Sequence, residues 1–590
     1  MAAATIPHQV LDNGLTMPDR PAYYARRDGA WQPTTWAEYA AEVRAAAKSL
    51  IALGVQPADT VCILGFNRPE WVIMDVAAMA AGAVPAGIYA TDSPQECQYI
   101  VAHSGAPVLL VEDRPQWEKI AKVRGELPEL RRVVTMRGVA IDDDMVMTWD
   151  EFMAAGADGT DGELEARLDA LEPSGLATLI YTSGTTGPPK GVMLSHDNLA
   201  WTVAQVIPPL GIGADDRLVS YLPLSHIAEQ DFTINAATLS GFAVYYAESI
   251  EKLADNLKEV RPTVFFAVPR VWERFHAGVT ARLAETHGIK AKLAAWAMSV
   301  ARKVNEGRSR GKEPGGLLAA QYRLASRLVL HKVKHALGLD EVRVALSGSA
   351  PVSQEILEFF AGLDILVYEV YGQSEDTGPT SINLPGRTKL GSVGPAFPGI
   401  EVKIAEDGEI MVRGRNVFLG YYKDPQATSE VLVDGWLRSG DLGELDDEGF
   451  LYIPGRKKDI IITAGGKNVP PKPLETGIKN HPLVSEAVVI GDRRRFVSVV
   501  VSLDVEAART FMADRGLTGE PHESEEVHGE IERVVDLVNR DFARAEQIKR
   551  FTVLPRQLSI EAGELTPTLK VRRNKVLENF AAEIEAMYAE

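Results

Sequence analysis

The segment YTSGTTGPPKG (181–191), rich in glycine and hydroxyl residues, has the composition of a phosphate-binding loop. Its backbone N–H groups and hydroxyls can surround phosphate oxygens, because glycines let the backbone approach a ligand closely. It is not a GxxxxGK[ST] loop, since Gly191 follows the lysine. A structural turn is the competing interpretation. The residues placed in this cradle are Thr182, Ser183, Gly184, Thr185, Thr186, Gly187 and the cation Lys190.

Further segments follow in the order typical of one enzyme family. YTSGTTGPPKG resembles the phosphate loop of AMP-forming acyl-CoA synthetases, in the adenylate-forming superfamily with luciferases and peptide-synthetase adenylation domains. VPRVWERF, the long helical stretch after it and the LTPTLK ending resemble the long-chain fatty-acid–CoA ligase branch. The matching segments are LPLSHIAEQ (222–230), VPRVWERF (268–275), SGSAP (347–351), YGQSED (371–376), GWLRSGDLG (435–443), GRKKDIIITAGGKNVPP (455–471) and LTPTLKVRRNK (565–575).

The resemblance implies that a fatty acid, ATP and CoA become acyl-CoA, AMP and pyrophosphate through an enzyme-bound acyl-adenylate. A carboxylate is a poor acyl donor, and joining it to AMP supplies a good leaving group. An alternative enzyme would donate the acyl group to a separate carrier protein instead of CoA. A non-enzymatic alternative is a nucleotide-binding membrane-surface protein with a vestigial site. Lys570, Glu375, Asp441 and Arg456 are all intact, which argues against that alternative.

The resemblance also assigns the nucleotide site. Glu375 in YGQSED and the hydroxyl of Thr182 would hold Mg²⁺, which prefers hard oxygen ligands. Asp441 would accept hydrogen bonds from the ribose hydroxyls, with Arg456 within reach of the same nucleotide. Tyr371 would stack on adenine. The remaining residues assigned to the ATP and AMP site are Gly348, Ser349, Ala350, Glu369, Val370, Gly372 and Ser374, the last standing where the family usually has threonine.

Two catalytic residues follow from the same resemblance. Lys570 matches the family's C-terminal lysine, whose ammonium would bridge the attacking carboxylate and the α-phosphate. Leu569 precedes it, where many members have glycine. His226 in LPLSHIAEQ resembles the residue beside the acyl carboxylate. Gly465 and Gly466 would border the path by which the CoA thiol enters.

Lys570 and these glycines serve different steps and cannot both face one acyl-phosphate centre. The C-terminal part is therefore expected to rotate between the steps, with backbone changes confined to a few linker residues. Lys458, two residues after Arg456, is the predicted pivot. The predicted architecture is an N-terminal domain (1–455) that binds the acyl group and ATP, and a small mobile C-terminal α/β domain (456–590).

The elements that must position these residues indicate an α/β fold. Helix-period segments alternate with short β-rich runs, which predicts mainly parallel sheets in the large N-terminal portion. Residues 385–455 read as a β-rich subdomain. The apolar stretch 71–90 is predicted to be a buried core helix, because Asp75 and Pro85 interrupt it. The predicted strands are TVCILGF (60–66), PVLLVED (107–113), LATLIYTSG (176–184), TVFFAVP (263–269) and RVALSGS (343–349).

Composition narrows the class of protein further. The 590 residues include 62 Lys and Arg against 81 Asp and Glu, a net charge of −19. This acidity argues against nucleic acid as a partner, because binding a duplex requires a basic face. Cys62 and Cys97 are the two cysteines of the sequence, which excludes a disulfide scaffold and indicates a reducing, cytoplasmic location.

One basic region stands out from the acidic chain. Residues 287–335 carry 11 Lys and Arg and only two acids, a net charge of +9, with apolar residues at helical spacing. A solvated helix pair broken at 307–316 is one interpretation. Peripheral contact with an anionic membrane, at its inner face, is the other. His331 and His335 have the i, i+4 spacing of metal ligands but lack an evident third ligand, so a structural role is expected.

Overall fold

Strands and helices alternate through most of the N-terminal portion, which confirms the predicted α/β class. The computed structural model describes residues 5–159, 161–182, 188–544, 546–566 and 570–589. The strands up to residue 382 are β1 Pro21–Arg27, β2 Ala30–Thr35, β3 Thr60–Leu64, β4 Val84–Ile88, β5 Val108–Val111, β6 Arg132–Thr135, β7 Val146–Met147, β8 Leu176–Thr182, β9 Lys190–Ser195, β10 Arg217–Ser220, β11 Ala243–Tyr246, β12 Val264–Ala267, β13 Val344–Ser347, β14 Val367–Tyr371 and β15 Ser381–Ile382.

The later strands build the β-rich segment and the C-terminal portion. They are β16 Ile400–Ile404, β17 Glu409–Gly414, β18 Gly420–Tyr421, β19 Leu432–Val433, β20 Trp436–Leu445, β21 Leu451–Arg456, β22 Ile461–Ile462, β23 Asn468–Val469, β24 Val484–Ile490, β25 Val497–Leu503 and β26 Ile548–Val553. Short 3₁₀ turns occupy Ser374–Asp376 and Lys457–Asp459, and the second of these connects β21 to the C-terminal portion.

Helices cover the sheets and connect parallel strands. They are α1 Ile6–Thr16, α2 Trp36–Ala52, α3 Pro69–Ala80, α4 Pro94–Ser104, α5 Arg114–Val123, α6 Trp149–Ala155, α7 Asp161–Asp169, α8 His196–Leu210, α9 Ile227–Gln230, α10 Ala237–Ser240, α11 Leu253–Val260, α12 Pro269–Ala284, α13 Ile289–Arg308, α14 Gly316–Ala325, α15 His331–Leu337, α16 Gln354–Gly362, α17 Pro425–Val431, α18 Pro471–Lys479, α19 Val505–Ala513, α20 Glu525–Asn539, α21 Arg573–Asn579 and α22 Ala581–Tyr588. π-helical turns occupy Asp231–Ala236 and Ser326–Leu330.

The largest sheet has the order β18-β9-β8-β4-β3-β5-β6-β7. Its strands run parallel from β8 to β7, while β9 and β18 add antiparallel edges. Every residue of β3 and β4 is buried, as expected for strands covered on both faces. A second sheet pairs β12, β13 and β14 in parallel. The carboxyl ends of β13 and β14 lead directly into SGSAP and YGQSED.

The predicted single helix over the apolar stretch 71–90 is wrong. The stretch divides into the end of α3 and the central strand β4, with a turn at Gly82 between them. Pro85 lies within β4, paired with Val61 of β3. Burial on all sides removes the alternation that would distinguish the strand from the helix, so the apolar run reads as one element.

Residues after Arg456 build their own sheets and hydrophobic clusters. The strands β24 and β25 are antiparallel, β26 joins β25 in parallel, and β22 pairs with β23 in a small hairpin. One cluster packs α18 and α20 on the sheet, and another packs α21 and α22 against it. The β-rich segment before them is a five-stranded sheet of β16, β17, β19, β20 and β21. Its first strand begins at Ile400.

Candidate active site

The phosphate-loop segment connects two antiparallel strands. Thr182 at the end of β8 is paired with Lys190 at the start of β9, so the chain reverses between them. Ser183, Gly184, Thr185, Thr186 and Gly187 lie outside the described residues. Gly191 is closely packed, because a Cβ there would lie 3.3 Å from side-chain atoms of both Tyr181 and Tyr422. The Lys190 ammonium lies 4.7 Å from the ring centre of Tyr421.

Tyr421 connects this lysine to the predicted magnesium ligand. Its hydroxyl donates to Oε1 of Glu375 at 2.8 Å, and the Glu375 carbonyl accepts from the N–H of Phe418 at 2.9 Å. Burial and the Glu375 charge raise the pKa of Tyr421, so the phenol stays a hydrogen-bond donor. Lys190, Tyr421 and Glu375 therefore form one cluster beside Thr182. Tyr421 belongs to none of the sequence motifs, and its only signal there is its position in an ordinary aromatic pair.

The donor set at this cluster fits magnesium bound together with a nucleotide. Carboxylate and hydroxyl oxygens from Glu375 and Thr182 are the hard ligands that Mg²⁺ prefers, and the ion commonly takes its other ligands from phosphates and water. Within the described part of the chain, no group of three or more His, Cys, Asp or Glu side chains could hold a metal by itself. His335 instead contacts the Asp340 carboxylate at 3.1 Å, in agreement with a structural role.

Asp441 and Arg456 face each other on paired strands. Their positions on β20 and β21 are in register, and Nε of Arg456 lies 3.2 Å from Oδ1 of Asp441. The Tyr371 hydroxyl donates to Oδ2 of the same carboxylate at 2.9 Å. Burial raises the pKa of Asp441, and the positive charge of Arg456 opposes that rise. A buried carboxylate held by two donors in this way is suited to recognise a pair of hydroxyls.

The proposed adenine slot is shaped by residues that tolerate no added atoms. A Cβ on Gly348 would lie 2.7 Å from Cγ1 of Val370, and one on Gly372 would lie 1.5 Å from the carbonyl oxygen of Gly378. Ser349 adopts a left-handed backbone conformation with φ of 68°. Strain of this kind persists only where the surrounding structure enforces it and is common at ligand sites. Ala350 follows directly in the same loop.

Glu369 and Ser374 have contacts that favour a supporting role. The Glu369 carboxylate accepts the N–H of Gly391 at 2.8 Å, and burial raises its pKa to about 8. Ser374 is buried at the start of the 3₁₀ turn that presents Glu375, and its carbonyl accepts from Thr377. These two residues therefore hold the loops on which the site depends.

Lys570, in the C-terminal portion, lies within electrostatic range of Arg456, Asp441 and Glu375. Desolvation and the positive charge of Arg456 lower the pKa of Lys570 to about 8, while the negative charges of Asp441 and Glu375 oppose this shift. His226 is close enough that the charge of Lys570, after burial, contributes to lowering its pKa to about 3. The structure thus brings together residues separated by more than 300 positions in the sequence.

The hydrogen bonding of His226 defines its protonation. Its Nδ1 accepts the N–H of Ala228 at 3.2 Å at the start of α9. A neutral imidazole that accepts at Nδ1 carries its proton on Nε2, so His226 presents an N–H donor. Glu229, which is not among the predicted site residues, is buried nearby in the chain, and its carboxylate accepts from Ser220 at 2.6 Å and Thr233 at 2.8 Å. Burial raises the pKa of Glu229 to about 7.

Gly465 and Gly466 lie in the exposed turn between β22 and β23. A Cβ added to Gly466 would meet no described atom within 4 Å. Lys570, by contrast, is close enough to Arg456, Asp441 and Glu375 for their charges to affect its pKa. Lys458 lies in the exposed connecting turn, and the preceding Lys457 binds Asp407 at 2.6 Å in the N-terminal portion.

Sequence models of known families match both portions. Residues 12–422 match the AMP-binding enzyme family, and residues 458–590 match the C-terminal domain of AMP-binding enzymes. The long-chain-fatty-acid–CoA ligase FadD15 of Mycobacterium bovis is 40% identical, with 100% of this chain and 97% of the relative covered. The long-chain-fatty-acid–CoA ligase ACSBG2 of Xenopus laevis is 38% identical, with 97% and 82% covered.

The fold is shared with solved structures. The o-succinylbenzoate coenzyme A synthetase of Bacillus subtilis, in complex with ATP and a magnesium ion, superposes with a TM-score of 0.69 at 24% identity. The superposition covers 96% of this chain and 98% of that one. The family matches over both portions, together with relatives at 38% and 40% identity over nearly the whole chain, show that this chain belongs to the AMP-binding enzyme family.

Proposed function

We propose that the chain is a long-chain fatty-acid–CoA ligase that makes acyl-CoA, AMP and pyrophosphate through an enzyme-bound acyl-adenylate. The observation that carries this proposal is the buried Asp441 carboxylate, which contacts Arg456 at 3.2 Å and the Tyr371 hydroxyl at 2.9 Å and lies within electrostatic range of Lys570. These residues come from both portions of the chain, so one cleft contains a cation for developing charge and a carboxylate for ribose. The names of the full-length relatives specify the long-chain acid and CoA.

In the first step, a carboxylate oxygen of the fatty acid attacks the α-phosphorus of ATP. The bond from that phosphorus to the bridging oxygen of the β-phosphate breaks, and pyrophosphate leaves. The Lys570 ammonium stabilises the negative charge that develops around the α-phosphate. The Nε2–H of His226 donates to the acyl carboxylate and orients it. Lys190 and residues 182–187 hold the phosphates, and Mg²⁺ held by Glu375 and Thr182 would neutralise phosphate charge.

The ribose and adenine of ATP are held by residues other than those that bind the phosphates. Asp441 and Arg456 bind the ribose side, while Tyr371 lies on the adenine slot formed by Gly348, Ser349 and Ala350. Val370, Gly372, Glu369 and Ser374 fix the walls of that slot through the packing described above. Positioning and charge stabilisation are sufficient for this chemistry, because neither nucleophile requires strong activation by a base.

In the second step, the CoA thiolate attacks the acyl carbon and AMP leaves with the electron pair of the acyl–oxygen bond. We place the domain boundary between residues 1–455 and 456–590, with rotation about Lys458 bringing Gly465 and Gly466 towards the acyl-adenylate. The bonds from Lys457 to Asp407 and Glu409 support this pivot, because they tie the residue before Lys458 to the N-terminal portion.

The test measures both steps with C6 to C20 acids. We expect pyrophosphate release that depends on the acid and ATP, a hydroxylamine-trapped acyl-adenylate without CoA, and a thioester when CoA is added. Activity should be greatest with the long acids. An adenylate that forms but passes its acyl group only to a carrier protein would contradict the assignment of CoA as the acceptor.

We also propose that the helical region 287–335 contacts an anionic membrane surface. The leucines at positions 317, 324 and 328 have exposed fractions of 75%, 51% and 38%, and their spacing places them on one side of α14 and the turn after it. Exposed cations flank this stripe at positions 323, 327 and 332. Apolar residues bordered by cations are typical of helices that lie at a bilayer interface. Among the described residues, no helix is long and apolar enough to cross a membrane.

Co-sedimentation with phosphatidylglycerol vesicles tests this contact. Basic residues contribute about 1 kcal/mol each near an anionic leaflet, so reversal of Arg323 and Arg327 to Glu should weaken binding at low salt. Lys334 is unsuitable for this purpose, since its ammonium binds Asp364 at 2.9 Å. Replacing Leu324 by Asn should also weaken binding, whereas the same replacement of Leu537 on α20, which is 60% exposed, is the control. Equal binding of all variants would contradict the proposal.

A further inference from the structure

Among the residues that the structure describes, two ion pairs join the two portions at positions distant from the connecting turn. Arg270 at the start of α12 pairs with Glu486 on β24. Arg572, two residues after Lys570, places Nη2 at 3.5 Å from Oε1 of Glu96 on α4. Each pair takes one residue from either side of the connecting turn, so both depend on how the portions are arranged.

Arg572 enters an acidic part of the N-terminal portion. Its side chain is 23% exposed, and its Nε is buried without a hydrogen-bond partner among the described residues. Asp92 lies close by, where burial and then Glu96 raise its pKa to about 7 and the positive charge of Arg572 opposes that rise. The guanidinium therefore contacts Glu96 and lies within electrostatic range of Asp92.

Glu486 also forms an ion pair within the C-terminal portion. Its side chain is 4% exposed, and its Oε2 lies 3.0 Å from the ammonium of Lys479 at the end of α18. Removing the positive charge of Arg270 would leave Glu486 with Lys479. Arg270 thus adds only the contact between the portions, and the fold of the C-terminal portion does not depend on it.

We propose that Arg572 and Arg270 are positioning residues for adenylation, which hold the C-terminal portion where Lys570 reaches the nucleotide site. An interaction made in one arrangement of two bodies and lost in another raises the population of the first. Because Arg572 lies on the same short segment as Lys570, its contact with Glu96 also fixes the backbone that carries the lysine. This inference rests on the proposed two-step function.

Half-reaction kinetics of the full-length protein test the inference. Arg572→Gln and Arg270→Gln should each lower the rate of acyl-adenylate formation about threefold, as expected for partly exposed ion pairs. Transfer from supplied acyl-AMP to CoA should not fall. Lys575→Gln is the matched control, because its partner Glu578, at 2.7 Å, lies in the same portion. It should leave both rates unchanged.

A double-mutant cycle separates the pair from a general effect on folding. Glu96 also accepts the N–H of Ser93 in the capping box of α4, and Glu96→Gln retains that acceptor. Arg572→Gln combined with Glu96→Gln should therefore be no slower than Arg572→Gln alone. The inference would be overturned if the rate losses of the two single variants multiply in the double variant. Equal loss in both half-reactions, or unchanged adenylation, would also overturn it. Wild-type protein that forms no acyl-adenylate would instead contradict the proposed function.

Discussion

The environment of Lys570 opposes the charge that adenylation requires. Desolvation and the positive charge of Arg456 lower the pKa of its ammonium to about 8. A group with that pKa is still mostly protonated near neutral pH. His226 has the opposite property, since burial holds its pKa near 3 and keeps it neutral. The two residues can therefore supply different interactions, a full positive charge and a neutral N–H donor.

Replacing Lys570 by Ala should reduce acyl-adenylate formation by about 10²–10³-fold, the usual effect of removing one preorganised group from developing charge. Transfer of the acyl group from supplied acyl-AMP to CoA should be much less affected. Single-turnover measurements of the two half-reactions provide the comparison. Equal loss in both would indicate that Lys570 supports the structure or serves both steps.

The pH dependence of adenylation should report the same lysine. If the protonated ammonium is the active form, kcat/KM for adenylation falls as pH rises through about 8, because deprotonation removes the charge. Lys570→Arg should remove this decline even if it is slower, since a guanidinium remains protonated. Initial rates from pH 6.5 to 9.5 test this, and a decline retained in the Arg variant would assign it to another group.

Sequence motifs indicate the residues that are proposed to contact substrate, but not the residues that support them. Glu375, Asp441 and Lys570 lie within recognisable strings, and the structure brings all three to one cleft. Tyr421 and Glu229 make their contacts by tertiary folding. Tyr421 and Glu375 are 46 residues apart in the sequence, and a local sequence pattern does not predict a contact over that separation.

At the scale of elements, alternation of helices and strands predicted the fold class, and each of the five predicted strand segments contains a strand. The exception is the stretch that contains α3 and β4. All residues of both elements are buried, so neither shows a polar face that would reveal its period. Periodicity is informative only where one side of an element meets solvent.

The connecting turn allows a direct test of the pivot. Lys458→Pro should retain acyl-adenylate formation but lose most transfer to CoA, because proline fixes φ near −65° and limits rotation at that residue. Lys457→Pro should affect the two steps more equally, because it also removes the ion pairs of Lys457 with Asp407 and Glu409. Single-turnover assays decide between them, and equal loss of both steps in Lys458→Pro would show that the pivot lies elsewhere.

At the scale of the whole molecule, separate hydrophobic clusters predict that the N-terminal portion can fold alone. The clusters around β24 to β26 draw only on residues after 460. We expect a protein of residues 1–455 to unfold cooperatively on heating and to bind ATP, because most nucleotide residues remain. It should form acyl-adenylate more slowly than the full-length protein by at least about 10²-fold, since Lys570 is absent. Calorimetry, ATP binding and hydroxamate formation test these expectations, and undiminished adenylation would exclude a role for Lys570.

The connecting turn is a tether as well as a pivot. A short link confines Lys570 near the cleft at an effective concentration on the order of millimolar. The same C-terminal portion supplied as a free polypeptide at micromolar concentration would therefore occupy the cleft only rarely. Raising its concentration towards the millimolar range should restore adenylation to the isolated N-terminal portion in trans. If the two portions were separate polypeptides, their interface would have to bind tightly for Lys570 to reach the cleft. The short turn between β21 and β22 makes such tight binding unnecessary.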